Sequence, residues 1–435
     1  MRQISLRAAV AAALASTAAC SSLTDVPVPS NILDGGKLET QATAVSMYNN
    51  AIYLFALNFA GSYSGGDGSV AGVSGLFSDE YTAATYANAA VLHDTHSGTA
   101  SDENQAGPYE GLQGMRQSAD AAIAKLIANG GTAPKSYIGE LHALKGYVYI
   151  FITELYCEGA PFGTLAATNG PVRYPESETR TQALNDAIAQ FDSAVAVAGD
   201  SVRIARLAAV GKARAYLDLG DFANAKTAVA QVPTTFAYAT TYSTTYANYM
   251  APNLGYGPPV FMANLEGGNG LGYTITTDPR VARISKDGSA WTPSKFSTAT
   301  APVTLADGIE ARLIEAEAAL HDHDAATWAS ILNTLRATAG TTAIPALSAD
   351  STTTASDSLR INVMFRERAF WMFGTGHRQG DMRRLIRQYQ RAPANVYPVG
   401  AESIYNLYIP TPVLEIPQAE ADNNPKFHGC LNHNA

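Results

Sequence analysis

The sequence predicts a mainly α protein, an α/α superhelix of about four helix pairs that carries long inserted loops. Three observations lead there. Apolar residues recur at spacings of three and four through much of the chain. Residues 208–225 join two such stretches through a Gly220-Asp221 turn. Two glycine- and tyrosine-rich stretches, 61–107 and 233–304, break the periodicity and are too long to be simple connections. The composition is compatible: of 435 residues 46% are hydrophobic and 15% charged, against roughly 25% charged in an ordinary soluble domain. A disordered, solvating chain is thereby excluded. With 38 acids against 29 bases and a net charge of −9, no basic surface is available for a phosphate backbone, so nucleic acid is not an expected partner.

Residues 1–19 read as a secretory signal. Met1-Arg2-Gln3-Ile4-Ser5-Leu6-Arg7 is a positive start, an apolar run from Ala8 to Ala15 follows, and Ser16-Thr17-Ala18-Ala19 supplies small residues before Cys20. The apolar run is too short to span a bilayer. A cysteine in this setting looks like the lipidation site of a bacterial lipoprotein, although Thr17 stands where that pattern usually has leucine; cleavage after Ala19 without lipid is the alternative. Residues 20–36, with Asp25-Val26-Pro27-Val28-Pro29, would then be a lipidated tether, and 37–435 a single elongated domain. Removal of the signal also removes Arg2 and Arg7, so the mature chain is more acidic than the whole. Cys157 and Cys430 remain, either bridged or separately buried; their spacing leaves both open.

The helices follow in order. One is expected around Thr40 to Asn58. Leu112, Met115, Ala119, Ala122 and Leu126 predict another from about Pro108 to Ala128, stopped by Asn129-Gly130-Gly131. Leu141, Leu144, Val148, Phe151 and Leu155 predict the next, and Leu184, Ile188, Phe191 and Val195 a fourth that ends before Gly199. Residues 208–225 resemble a tetratricopeptide repeat, with Tyr216 as the aromatic of the first helix and Ala225 the small residue where the second crosses it. A looser copy spans Ile309 to Ala337, with Ala316, Ala319 and Leu320 inward and His321-Asp322-His323-Asp324 in a solvent-facing turn. Each pair exposes an apolar face that only a neighbour can cover, hence the stack.

Catalytic motifs are missing: there is no GxSxG elbow and no Walker loop, and Gly374-Thr375-Gly376 with Gly380 follows a helix rather than a strand. Asp79-Glu80 is not an opposed glycosidase pair, and His93-Asp94-Thr95-His96 lacks further ligands at a regular spacing. No catalytic residue, cofactor or metal is expected. The loops offer aromatic rings instead. Tyr238, Tyr242, Tyr246 and Tyr249 recur every three or four residues, either as a face packed on the scaffold or as a platform on which sugar rings stack. Trp291, Tyr242 and Tyr246 in the second loop, with Tyr81 as an opposing wall and Tyr86 in the first, are the candidate ligand contacts.

The C-terminal block, about 357–430, carries the resemblance that organises these readings. Glu310-Ala311-Arg312-Leu313-Ile314-Glu315-Ala316-Glu317-Ala318, Leu332-Asn333-Thr334-Leu335-Arg336, Arg366-Glu367-Arg368-Ala369-Phe370, Gly376-His377-Arg378-Gln379-Gly380-Asp381-Met382-Arg383-Arg384, Tyr408-Ile409-Pro410 and Leu414-Glu415-Ile416-Pro417 resemble the SusD/RagB family of outer-membrane lipoproteins. So do Glu266-Gly267-Gly268-Asn269-Gly270-Leu271 and Asp278-Pro279-Arg280-Val281. The pattern departs at Gly374-Thr375, where many members have an aromatic and a glutamate. The resemblance implies the SusD-like fold and a lipid-anchored, surface-facing nutrient binder. Its ligand would be a glycan or oligosaccharide, or alternatively a peptide or other oligomer, delivered to a SusC-like TonB-dependent transporter. A glycoside hydrolase and a pure protein-interaction scaffold are the rivals from other classes. Read from the residues, Glu367, Arg378 and Asp381 belong to a structural ion-pair network, with Arg378 beside Asp381 one helical turn on.

Overall fold

The computed structural model describes residues 39–62, 69–84, 87–163, 174–252, 257–266, 270–285, 290–338, 344–397 and 412–434. The signal, Cys20 and the tether, Tyr86, Gly267-Gly268-Asn269 and Tyr408-Ile409-Pro410 lie outside them. Within them the protein is mainly helical, as the periodicity predicts. Its helices are α1 Gln41–Ala60, α2 Val70–Phe77, α3 Asn88–Asp94, α4 Glu103–Asn129, α5 Ser136–Leu155, α6 Arg180–Val197, α7 Val202–Leu219, α8 Phe222–Val229, α9 Gly308–His321, α10 Ala325–Ala337, α11 Asp357–Trp371, α12 Arg378–Arg387 and α13 Gln418–Asn423.

The stack pairs α1 with α4, α5 with α6, α7 with α8, and α9 with α10, and each pair packs on the next. Capping residues set the starts: Thr40 accepts from Thr43 N, Thr179 forms a reciprocal capping box with Gln182, and Asp221, Asp307 and Asp324 cap α8, α9 and α10. Gly220 closes α7 in the left-handed region, φ +79°, which a side chain there would disfavour. Helix α4 begins earlier than the periodicity suggests, and Pro108 sits in its second turn, where tertiary packing outweighs one lost amide donor. Close approach of α5, α6 and α7 depends on missing side chains. A Cβ on Gly146 would come within 2.7 Å of the Phe191 ring, and one on Gly211 would strike the same ring.

One apolar core runs through α1, α2 and α4 to α9. A second gathers Leu313, Trp328, Leu332, Leu335, Met364 and Phe365, so α9 buries Ala311, Ile314 and Ala318 on one side and Leu313, Ala316 and Leu320 on the other. In the repeat turn the imidazoles of His321 and His323 are exposed, and His321 also stacks on Phe222 with centroids 4.1 Å apart.

The two long loops are built structure. Short strands β1 Gly61–Ser62, β2 Tyr81–Ala83, β3 Ala237–Thr240, β4 Ala247–Asn248, β5 Val260–Met262, β6 Arg283–Ser285, β7 Trp291–Pro293 and β8 Val303–Asp307 pair antiparallel as β1–β4, β2–β5, β3–β8 and β6–β7. Two of these ribbons join the first loop to the second, and α2 is buried along its whole length. Cys157 and Cys430 form a disulfide, with Cα atoms 5.8 Å apart. It fastens the C-terminal tail beside the end of α5, where Cys157 N donates to Leu414 O and Leu431 N to Glu158 O.

Candidate functional site: a tyrosine cleft on the helical stack

The β1–β4 register, with Ser62 opposite Ala247, brings Tyr246 against the C-terminal half of α1. The β3–β8 pairing likewise fixes Tyr238 opposite Ala306. Between α1, α5, α7 and β3 a cleft of about 250 Å³ remains, lined by Asn49, Tyr53, Glu140, Arg203, Tyr238 and Tyr246 among others. Tyr53 and Tyr246 are half-buried and meet edge to face, centroids 4.8 Å apart at 87°. Asn49 is exposed at the rim.

The floor is a saturated carboxylate. Glu140 Oε2 accepts from Tyr48 Oη at 2.6 Å, and Oε1 accepts from Tyr238 Oη at 2.7 Å and Arg203 Nη1 at 3.1 Å. Burial, with the Glu140 charge, pushes both phenols well above the usual tyrosine range, so they stay protonated donors. The Arg203 guanidinium lies 4.2 Å over the Tyr238 ring, yet 55% of its side chain is exposed. The cleft thus offers tyrosine faces, phenol edges and hydrogen-bond donors, the mixture that suits a sugar ring with apolar C–H faces and peripheral hydroxyls.

The sequence-predicted ligand residues are distributed differently. Tyr246 lines the cleft. Tyr242 is buried, its hydroxyl 2.7 Å from Thr240 Oγ1 and donating to Ala56 O, and its ring lies 6.4 Å from that of Tyr246, which it supports rather than extends. Tyr81 is fully buried against Phe373 and Gly374, so the opposing wall assigned to it is corrected: in this conformation it is a core residue that no ligand reaches. Trp291 is half-buried on β7, with the Arg283 guanidinium 4.8 Å over its ring, and does not line the cleft. Tyr53 and Glu140 lie on or at the edge of stretches that the periodicity reads as scaffold helices, and Arg203 falls in the gap between the fourth helix and the 208–225 repeat, so none of the three stands out in the sequence. The available signal was Tyr53, a bulky aromatic between polar and apolar stretches of α1, but only the loop pairing reveals its partner.

The other groups are structural. His93 is buried, which pushes its imidazole down to about 4, whereas His96 stacks on Phe77 with centroids 3.7 Å apart. Among the described residues the only cluster of three or more metal-ligating side chains is Cys157, Glu415 and Cys430, and its sulfurs are joined in the disulfide.

The ion pairs of the C-terminal block are buried and differ from the expected pairing. Arg378 does not bond Asp381; its Nε and Nη2 grip Glu266 from the second loop at 2.7 and 2.8 Å. Asp381 accepts from Arg368 Nε at 2.8 Å and Arg384 Nη2 at 2.7 Å, and Glu367 accepts from Arg280 at 2.7 Å and Arg336 at 2.5 Å. Helical spacing allows Arg378 and Asp381 to meet, but partners from other elements offer better forks. Burial alone would raise the Asp381 carboxyl, yet the Arg368 and Arg384 guanidiniums hold it far below the carboxylate range. At the departure from the family pattern, Gly374 has φ +65° and receives the Tyr81 hydroxyl where a Cβ would stand. An aromatic in that position would need Tyr81 to move.

Near this network Glu80 is wholly buried, and burial pushes it up to about 8, with Arg378 opposing and Glu266 adding to the shift. The folded state therefore holds a proton that the unfolded chain releases, and stability is lost as pH rises from the ordinary glutamate value toward about 8. Glu80→Gln is expected to keep on the order of 5 kcal/mol that the parent loses over this window. Thermal denaturation of both proteins at acid and at mildly alkaline pH checks it; parallel pH profiles would contradict the assignment.

No family model matches the chain, and neither does any curated protein sequence. Solved structures do. A SusD superfamily protein from Bacteroides fragilis superposes with a TM-score of 0.67 at 16% identity, covering 89% of this chain and 99% of its own. The surface glycan-binding protein A of Bacteroides uniformis gives 0.63 at 13%, with 89% and 99% covered. A SusD-like carbohydrate binding protein from Bacteroides vulgatus gives 0.57 at 14%, with 79% and 83% covered. The helical stack with its paired loops is therefore the SusD-like fold. The resemblance drawn from the C-terminal block holds at that level.

Proposed function

We propose that this protein is a non-enzymatic, lipid-anchored outer-membrane binding protein that captures a glycan or oligosaccharide in the tyrosine cleft and passes it to a SusC-like TonB-dependent transporter. The observation that carries the binding half is the cleft itself, where Tyr53 and Tyr246 converge above a saturated Glu140 floor. The fold shared with a surface glycan-binding protein and a SusD-like carbohydrate binding protein supports the ligand class. The signal that ends just before Cys20 supports the anchor, and among the described residues no helix is long and apolar enough to cross a membrane. Binding breaks no bond: the stack provides a rigid body, and the paired loops position the rings.

A glycan-binding screen on the folded body is expected to give a ligand whose affinity falls by roughly tenfold or more in Tyr53→Ala and Tyr246→Ala. Retained binding in both variants would move the site elsewhere, and release of reducing ends from the same glycans would replace the binding reading by a hydrolase. Intact mass of membrane-extracted protein tests the anchor, where an unmodified Cys20 would remove it. Co-purification from membranes tests the transporter partnership.

A further inference from the structure

The geometry points to a carboxylate-bearing glycan, one rich in uronic acids, as the ligand class of the tyrosine cleft, with Arg203 as the residue that recognises the charge. The inference rests on the binding reading proposed above and narrows it.

Four arginines among the described residues show how this protein holds a carboxylate. Arg214, Arg280, Arg336 and Arg378 each present the Nε and Nη2 side of the guanidinium to the two oxygens of Glu154, Asp278, Glu367 and Glu266 respectively. That fork matches the spacing of carboxylate oxygens. Arg203 uses only Nη1, toward Glu140, so among the described residues its Nε and Nη2 fork has no protein partner. The guanidinium is nevertheless held in place: Tyr238 lies under its plane at 4.2 Å and Glu140 tethers one end. Little rotamer freedom is left to lose when a ligand binds, which favours affinity.

Glu140 does not compete for that fork. Both its oxygens are engaged, and its side chain is only 9% exposed. Helix α7, in whose first turn Arg203 lies, has no acidic residue in that turn. With a net charge of −9 over the chain, a general attraction for polyanions is not available. Discrimination has to come from this local fork, beside the rings that take the sugar faces. A neutral sugar can use the rings but leaves the Arg203 fork to water.

The test compares a panel of uronic acid oligomers, namely oligogalacturonate, oligoalginate and a glucuronate-containing heparosan oligomer, each beside its methyl ester. Esterification removes the charge and keeps the rings. On the whole folded protein at least one acid form is expected to bind roughly tenfold more tightly than its ester, the preference shrinking as salt is raised. Arg203→Gln is expected to abolish the preference by weakening the acid forms at least tenfold more than their esters, and Tyr53→Ala with Tyr246→Ala to weaken both forms alike. Equal binding of acid and ester, or a preference that survives Arg203→Gln, overturns this inference and leaves the binding reading standing. So does tyrosine-dependent binding of a neutral glycan with no uronate bound. Failure of every glycan to bind would overturn both. A circular dichroism spectrum of Arg203→Gln matching the parent excludes misfolding as the cause.

Discussion

Replacing Glu367 by alanine is expected to lower stability by about 3–5 kcal/mol, because it leaves the buried Arg336 guanidinium without a carboxylate and breaks the Arg280 pair as well. Glu367 has no exposed surface, and Arg280 and Arg336, both nearly buried, converge on its carboxylate from the second loop and from α10. Arg280 also bonds Asp278, but Arg336 would keep only the carbonyl of Pro345. The same substitution at Glu176, whose pair with Lys426 is on the surface, is expected to cost less than about 1 kcal/mol. Urea or thermal denaturation of the two variants makes the comparison. A Glu367→Ala protein as stable as Glu176→Ala would mean that the network adds little to the fold. Lowering the pH is expected to weaken the same block: Asp381 contributes stability that is complete above the ordinary aspartate value and is lost as pH falls through its depressed folded-state value.

Removal of the disulfide by Cys157→Ser with Cys430→Ser is expected to be comparably costly. The bridge joins residues 273 apart, and loop-closure entropy for a span of that order amounts to about 5 kcal/mol. The effect also has a location. The tail from 412 onward is held to α5 by the bond of Leu414 N to Leu155 O and by the pair Glu158 with Asn432, so its release should precede global unfolding. Limited proteolysis of the reduced or serine protein is expected to cut first within this tail. Cleavage beginning elsewhere, or an unchanged melting temperature, would contradict the clamp.

The sequence made the scaffold legible because helical periodicity and caps are local. Leu141 to Leu155 report their buried face directly, as do Leu184 and Phe191, although Val195 of the same pattern is exposed while Ala187 and Ala194 are buried, and Gly220-Asp221 marks its turn without tertiary information. The site was less legible because it is made by pairing across distance. Tyr246 was visible as one of four regularly spaced tyrosines, but the ribbon that carries it to Tyr53 joins Ser62 to Ala247 across the chain. The same pairing explains the error at Tyr81: a loop rich in glycine and aromatics looks like a ligand surface, yet β2 and β5 fold it inward until Tyr81 fills the space left by Gly75 and Gly374. Arg378 and Asp381 satisfied helical spacing, but spacing cannot reveal that Glu266 arrives from another element. The disulfide could not be decided from two cysteines so far apart, and is set by how the tail packs on α5.

The central claim, that the tyrosine cleft is where ligand is held, is tested most directly by a crystal structure of the protein with a bound glycan identified by the screen. A sugar ring is expected against Tyr53 and Tyr246, with an acidic substituent at the Nε and Nη2 edge of Arg203. A glycan seated instead on Trp291 or in the groove between α6, α7 and α8 beside Tyr216, with the cleft filled only by water, would contradict it.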